Sequence, residues 1–268
     1  MNSNNQQLAG KVIVVTGSTD GIGLAIAEQC AIEGAKVVVH GQEIDRVQEV
    51  AQRLSCETAH CAVDLVEENA PRVIIAEAIS KFGTIDGLVN NAAWVVRSNI
   101  DSTDVELFDR VMTINARAPL MLIQEALPHL KKTHGAVVNI GSLNAYTGEP
   151  RQLAYAMSKA ALMTLSRNLA NTLAGEHVRF NHFNLGWVLT ENERKLKISE
   201  GLPEDWGENP DPEHVPTGKM TGPEEVARHA VFWLSDQSRP ISGSVIDMEQ
   251  YPVIGRIPLK EGKEQDRD

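Results

Sequence analysis

Short runs of β-branched and aliphatic residues alternate along this chain with longer stretches whose apolar positions recur every three or four residues. KVIVVT (11–16), KVVVH (36–40), the segment 58–63, DGLVN (86–90), AVVNIG (136–141) and VRFNHFN (178–184) read as strands. Between them, 22–33, 43–54, 67–82, 104–132 and 153–174 carry the helical period. Strand–helix alternation of this kind predicts βαβ units and a doubly wound parallel sheet covered on both faces. The nearly unbroken apolar runs fit, because a sheet buried on both sides has no face to leave polar.

Beyond Asn184 the texture changes. Residues 187–220 are rich in charge, glycine and proline, with one short helical pattern near 191–200. A long polar excursion inside a compact domain reads as a small lid over a substrate site. PEEVARHAVFWLSD (223–236) restores the helical period with Pro223 in its first turn, and SGSVIDM (242–248) reads as the last strand. The chain 1–268 is expected to be one domain, with its core over about 8–248 and a solvated tail over 256–268.

Composition narrows the class. A chain of 268 residues, 42% hydrophobic and 23% charged, suits one soluble α/β domain. A formal net charge of -11 without a Lys/Arg stripe argues against nucleic acid as a partner. No apolar run approaches the ~18 residues that span a bilayer, and the start, MNSNNQQLAG, lacks the layout of a secretory signal. Cys30, Cys56 and Cys61 are odd in number and form no C-x-x-C pair, so a reducing cytoplasm is expected. His129, His134 and His229 have no partners at ligand spacing, and no metal is expected.

The candidate chemistry begins at VVTGSTDGIG (14–23), which leaves the first strand and opens a helix. Gly17, Gly21 and Gly23 allow a tight turn and close approach of backbone to phosphate. The free N–H groups of the helix start then face a pyrophosphate. Tyr155 and Lys159, in YAMSK, fall one helical turn apart, and Ser142 lies upstream. An ammonium beside a phenol favours the phenolate, making the hydroxyl a usable acid or base. Either Ser142 or Tyr155 alone reads equally as a turn serine or a half-buried aromatic; together, behind a dinucleotide turn, they read as a site.

The spacing T-G-x-x-x-G-x-G, rather than the G-x-G-x-x-G of the ordinary Rossmann fingerprint, resembles the short-chain dehydrogenase/reductase family. NNAA (90–93) is similar to that family's NNAG, Ser142, Tyr155 and Lys159 match its catalytic residues, and NLGWVLT (184–190) resembles its N-P-G-x-x-x-T segment. The resemblance implies hydride transfer between NAD(P) and an alcohol or ketone. It assigns Gly17, Ser18, Gly21, Ile22 and Gly23 to the pyrophosphate and adjoining ribose, Asp64 to the adenine, and Asn90 and Ala92 to the adenosine side. Lys159 would also hold the nicotinamide ribose, with Gly186, Val188 and Thr190 facing the nicotinamide. Asn115 would kink its helix and hold a water in a proton relay. A homotetramer, or alternatively a homodimer, is implied.

In the reaction so implied, Tyr155 is the general acid/base, Lys159 lowers its pKa and Ser142 orients the substrate oxygen. Trp94, Asn144, Gln152 and Trp187 are candidate substrate contacts, a mixture suited to a polyol, sugar or cyclic hydroxy compound. The coenzyme choice turns on His40-Gly41-Gln42, where no acid bars a 2′-phosphate. Asp20 and Gln42 stand where a basic clasp is frequent, and His40 offers a hydrogen bond to either ribose, leaving a slight preference for NADP over NAD. A non-catalytic NAD(P)-sensing protein is the alternative reading. Two departures from the family are Leu185 in place of proline and DMEQYP (247–252) in place of D-G-G.

Overall fold

The computed structural model describes residues 6–212 and 214–254; the tail expected over 256–268 lies outside them. Seven parallel strands form one sheet in the order β3-β2-β1-β4-β5-β6-β7. They are β1 (Val12–Val15), β2 (Lys36–Gly41), β3 (Thr58–Ala62), β4 (Gly87–Asn90), β5 (Ala136–Ile140), β6 (Arg179–Leu185) and β7 (Val245–Met248). Every strand expected from the apolar runs is present.

Alternation along each strand divides the core into two layers. On β1, Ile13 and Val15 face the cluster that holds Ile26, Val47 and Val231, whereas Val12 and Val14 face Ile74, Leu122 and Ala170. The first layer is covered by α1 (Gly21–Ile32), α2 (Ile44–Arg53) and α8 (Pro223–Leu234). The second is covered by α3 (Ala70–Phe82), α5 (Ala118–Thr133) and α6 (Leu153–Thr172). Both layers are continuous, and each fully buried aliphatic side chain contributes about 1.5–3 kcal/mol.

The periodic stretch 104–132 is helical but not uniformly so. α4 (Val105–Met112) passes through a π turn, Thr113–Arg117, into α5 with helical dihedrals at both joints. A π turn widens the helix by one residue per turn and is frequent at functional sites. Here it carries Asn115.

The 187–220 excursion folds on itself. Val188 bridges Thr221, so the segment leaves and rejoins the sheet edge at one point. It contributes α7 (Glu191–Ser199) and a satellite cluster in which Trp206, Val215 and Met220 pack with Trp187 and Leu189. Arg97 ties α7 back across the crevice through Glu200 at 2.7 Å.

Candidate active site

The strand order reverses between β1 and β4, and the carboxyl ends of the strands open there into a crevice of about 1090 Å³. One end is built by the turn between β1 and α1. Gly17 and Gly21 sit at φ 62° and 53°, a region that a Cβ disfavours. A Cβ on Gly23 would overlap the Gly17 carbonyl and the Asn91 amide. The turn is also held from outside: Asn91 donates to the Thr16 and Gly17 carbonyls at 2.9 and 3.1 Å. Such a backbone cradle, closing on the N-terminus of α1, fits a dinucleotide pyrophosphate.

The expected cofactor contacts divide. Gly17, Asp20, Gly21, Ile22, Gly23, Gln42, Asp64, Ala92, Gly186, Val188 and Thr190 all line the crevice. Asp64 also accepts from Val66 N–H at 3.0 Å, which fixes its turn. Asp20 caps α1 through Gly21 N–H and takes a second hydrogen bond from Asn192 of α7, both at 2.7 Å.

Three assignments change. Ser18 is fully buried and its hydroxyl accepts from the backbone N–H of His40 at 2.9 Å, so it fastens β2 rather than facing a phosphate. Asn90 is also buried, donating to Asn139 Oδ1 at 2.7 Å inside the sheet; its neighbour Asn91 faces the crevice. His40 lines the crevice, but both ring nitrogens are taken. Nδ1 accepts from Gly17 N–H at 3.2 Å and Nε2 donates to the Val63 carbonyl at 3.1 Å, so the ring latches the glycine turn and offers nothing to a ribose. Burial lowers its pKa to about 4.

Sequence reasoning missed Thr19, whose side chain lies against Gly41 at the end of β2. It also missed Arg46, which reaches from α2 to the Thr19 carbonyl at 3.4 Å. Arg46 was invisible because it belongs to the next helix and not to the strand end.

At the other end, β5 delivers Ser142, and α6 brings Tyr155 and Lys159 into the same crevice. Ser142 Oγ accepts from Asn144 N–H at 3.2 Å. Burial pushes the Tyr155 phenol up to about 12, opposed by its hydrogen bond with Ser142 and reinforced by the Glu193 carboxylate. Lys159 Nζ lies 5.6 Å from the Tyr155 ring centroid and donates to the Ile140 carbonyl at 2.7 Å. Burial alone brings Lys159 down to about 8.

Asn115 sits in the π turn that interrupts its helix, where the kink was expected. Its side-chain amide accepts from Trp94 N–H at 2.7 Å and donates to the Trp94 carbonyl and Ser158. It clamps the loop after β4 to α6, and Ile114 rather than Asn115 lines the crevice.

The substrate candidates Trp94, Asn144, Gln152 and Trp187 all line this end. Asn144 donates to Gln152 at 2.6 Å. Trp94 lies under the Arg110 guanidinium at 4.9 Å, and Trp187 stacks on Trp206 at 4.8 Å. A phenol held protonated beside a second hydroxyl, at the end of a dinucleotide cradle, is equipped to hand a proton to a carbonyl oxygen.

The family model described as enoyl-(acyl carrier protein) reductase matches residues 17–250. The chain belongs to the short-chain dehydrogenase/reductase family. As a member of that family it is an NAD(P)-linked oxidoreductase of alcohol and carbonyl groups. A 3-oxoacyl-[acyl-carrier-protein] reductase of Thermotoga maritima is 30% identical over 252 residues, covering 92% of this chain and 100% of that relative. Mouse L-fucose dehydrogenase is 32% identical over 237 residues, covering 85% of this chain and 83% of that one. Among solved short-chain dehydrogenase/reductase structures, L-sorbose reductase of Gluconobacter frateurii, complexed with NADPH and L-sorbose, superposes with a TM-score of 0.85 at 29% identity, over 91% and 97% of the two chains. A Beutenbergia cavernae protein assigned as an NAD(P)-dependent gluconate 5-dehydrogenase, with NADP bound at low occupancy, gives 0.81 at 30% identity, over 91% and 96%.

Proposed function

We propose that this protein is an NADPH-dependent ketone reductase acting on a small, sugar-like or cyclic carbonyl compound. The observation that carries this reading is the Ser142–Tyr155 pair, whose phenol stays protonated through neutral pH. Ser142 positions the carbonyl oxygen and supports the negative charge that develops on it. Tyr155 transfers its proton to that oxygen. Bound coenzyme supplies the hydride, and Lys159, at the floor of the crevice, would hold its nicotinamide ribose. Gly186, Val188 and Thr190 would face the nicotinamide, and the Gly17–Gly23 turn would hold the pyrophosphate.

The preference for NADP is supported by the absence of an acid at Gly41–Gln42 and by Arg46 reaching toward the same strand end. Two of the structural neighbours hold the phosphorylated coenzyme. Val105 on α4 and Met157 on α6 are 76% and 49% exposed, apolar surface that supports assembly as a homotetramer, with a dimer the alternative. The cytoplasm is the proposed compartment.

The test is a screen of NADPH and NADH against ketoses, polyols, keto acids, cyclic ketones and a 3-oxoacyl thioester. Turnover favouring NADPH is expected, and Arg46→Glu should lower kcat/KM for NADPH while sparing NADH. Coenzyme binding without turnover of any carbonyl would instead indicate a nucleotide sensor.

A further inference from the structure

The segment Gly186–Trp187 is flanked by two carboxylates that the reduction itself does not use. Glu193, on the lid helix α7, takes the Trp187 indole N–H on Oε1 at 2.8 Å, and its backbone N–H is capped by Thr190 at 3.1 Å. Glu249 follows the last strand, in the stretch that departs from the family's D-G-G. Its Oε1 accepts from Gln250 N–H at 2.8 Å, and its Oε2 lies over Gly186, where any Cβ would overlap it. Both residues line the crevice. In each, one oxygen is anchored, while the other has no hydrogen-bond partner among the described residues.

An anchored carboxylate with a free oxygen accepts hydrogen bonds and donates none. Its complement is a ligand rich in hydroxyl donors, and an anionic ligand would meet repulsion. The cations of this end are engaged with other groups. Arg97 and Lys197 share one carboxylate, Glu200, at 2.7 and 2.9 Å, which offsets one of their two positive charges. Arg110 lies against the Trp94 ring, and Arg151 is exposed at the rim. Trp187 stacks on Trp206 and carries Lys197 Nζ 5.6 Å from its ring centroid, which fixes the indole that anchors Glu193. Glu193 is also close enough to Tyr155 to oppose ionisation of its phenol, which places its charge near the reacting oxygen.

Resting on the proposed reductase reading, we infer that Glu193, with Glu249, is the specificity-determining acceptor that selects a neutral polyhydroxylated ketone over an acidic or acyl one. Glu193 holds a hydroxyl of the substrate near the carbonyl under reduction. Because its charge raises the Tyr155 pKa, the same residue keeps the proton donor loaded. Glu249 meets a second hydroxyl across Gly186.

The experiment compares wild type, Glu193→Gln and Glu249→Gln with NADPH on a neutral ketohexose, its deoxy analogue, a simple cyclic ketone and a keto acid. Glutamine keeps an acceptor oxygen for Trp187 and removes the charge. In Glu193→Gln the ratio of kcat/KM for ketohexose to that for cyclic ketone should fall on the order of 10- to 100-fold, the scale of one charge-assisted hydrogen bond. The loss should lie mainly in KM. Equal losses on both ketones would mark a structural role and overturn the inference, as would a wild-type preference for the keto acid. Should no carbonyl be reduced at all, the reductase reading fails on its own. Titration of a polyol into the protein–NADPH complex then decides: weaker binding to Glu193→Gln supports the selector, and unchanged binding rejects it.

Discussion

His40 Nδ1 receives the backbone N–H of Gly17 across 3.2 Å, joining the end of β2 to the coenzyme turn through a buried imidazole. The bond requires the neutral ring, with its proton on Nε2 facing the Val63 carbonyl. An unfolded histidine titrates near 6.5 and this one at about 4, so the unfolded chain binds more protons between those values. Stability should therefore fall as pH drops from 6.5 toward 4.

His182, depressed to about 3 by burial, acts with the same sign. Urea midpoints measured at pH 7.5 and 5 should show the loss, at up to about 1.4 kcal/mol per pH unit for each ring. His40→Gln should reduce the slope; an unchanged slope would mean that the ring is not held neutral.

Tyr155→Phe keeps the ring in its buried place and removes the hydroxyl. Turnover should drop by about 10²–10⁴-fold, the range for loss of a positioned acid, while NADPH affinity measured by fluorescence stays within a few-fold. An unchanged rate would reject the assignment of Tyr155 as proton donor.

Lys159 and Tyr155 both bound the pH profile for reduction on its alkaline side. The ammonium is brought down to about 8 and the phenol pushed up to about 12, so on raising the pH the lysine loses its charge first. In the free enzyme, kcat/KM for reduction should decline above about pH 8. Lys159→Arg, whose cation does not titrate in this range, should abolish that decline whatever its residual rate. Persistence of the limb would assign it to another group.

Gly141 lies under the His182 ring, which a Cβ at that position would overlap. The ring is fixed by Ser166 at 3.1 Å and Asn184 at 3.0 Å and has no room to yield. Gly141→Ala should cost about 1–3 kcal/mol of stability. On a His182→Ala background the same change should cost less, and a double-mutant cycle by urea unfolding measures the difference.

Fold and reactive groups were legible for the same reason: both are written locally. Apolar runs such as VIVV and the period of 153–174 report burial directly, and Tyr155 and Lys159 meet because a helix turns once in four residues. Roles set by distant packing were not legible. Ser18 and Asn90 sit inside motifs whose neighbours face the crevice, but local pleat and turn geometry direct their own side chains inward. Helical spacing puts Lys159 beside the phenol, but it does not show that the Ile140 carbonyl on β5 takes its Nζ. Arg46 reaches the Thr19 carbonyl from α2, and Glu249 reaches the crevice from the stretch that replaces the family's D-G-G. The polar texture of 187–220 announced an excursion but gave no hint that Glu193 would be anchored to Trp187.

The hydrogen bond from Asn192 to Asp20 spans 172 positions of sequence and lays the lid helix across the mouth that the pyrophosphate would use. A contact so distant in sequence couples the position of α7 to the turn between β1 and α1, so that displacing either one disturbs the other.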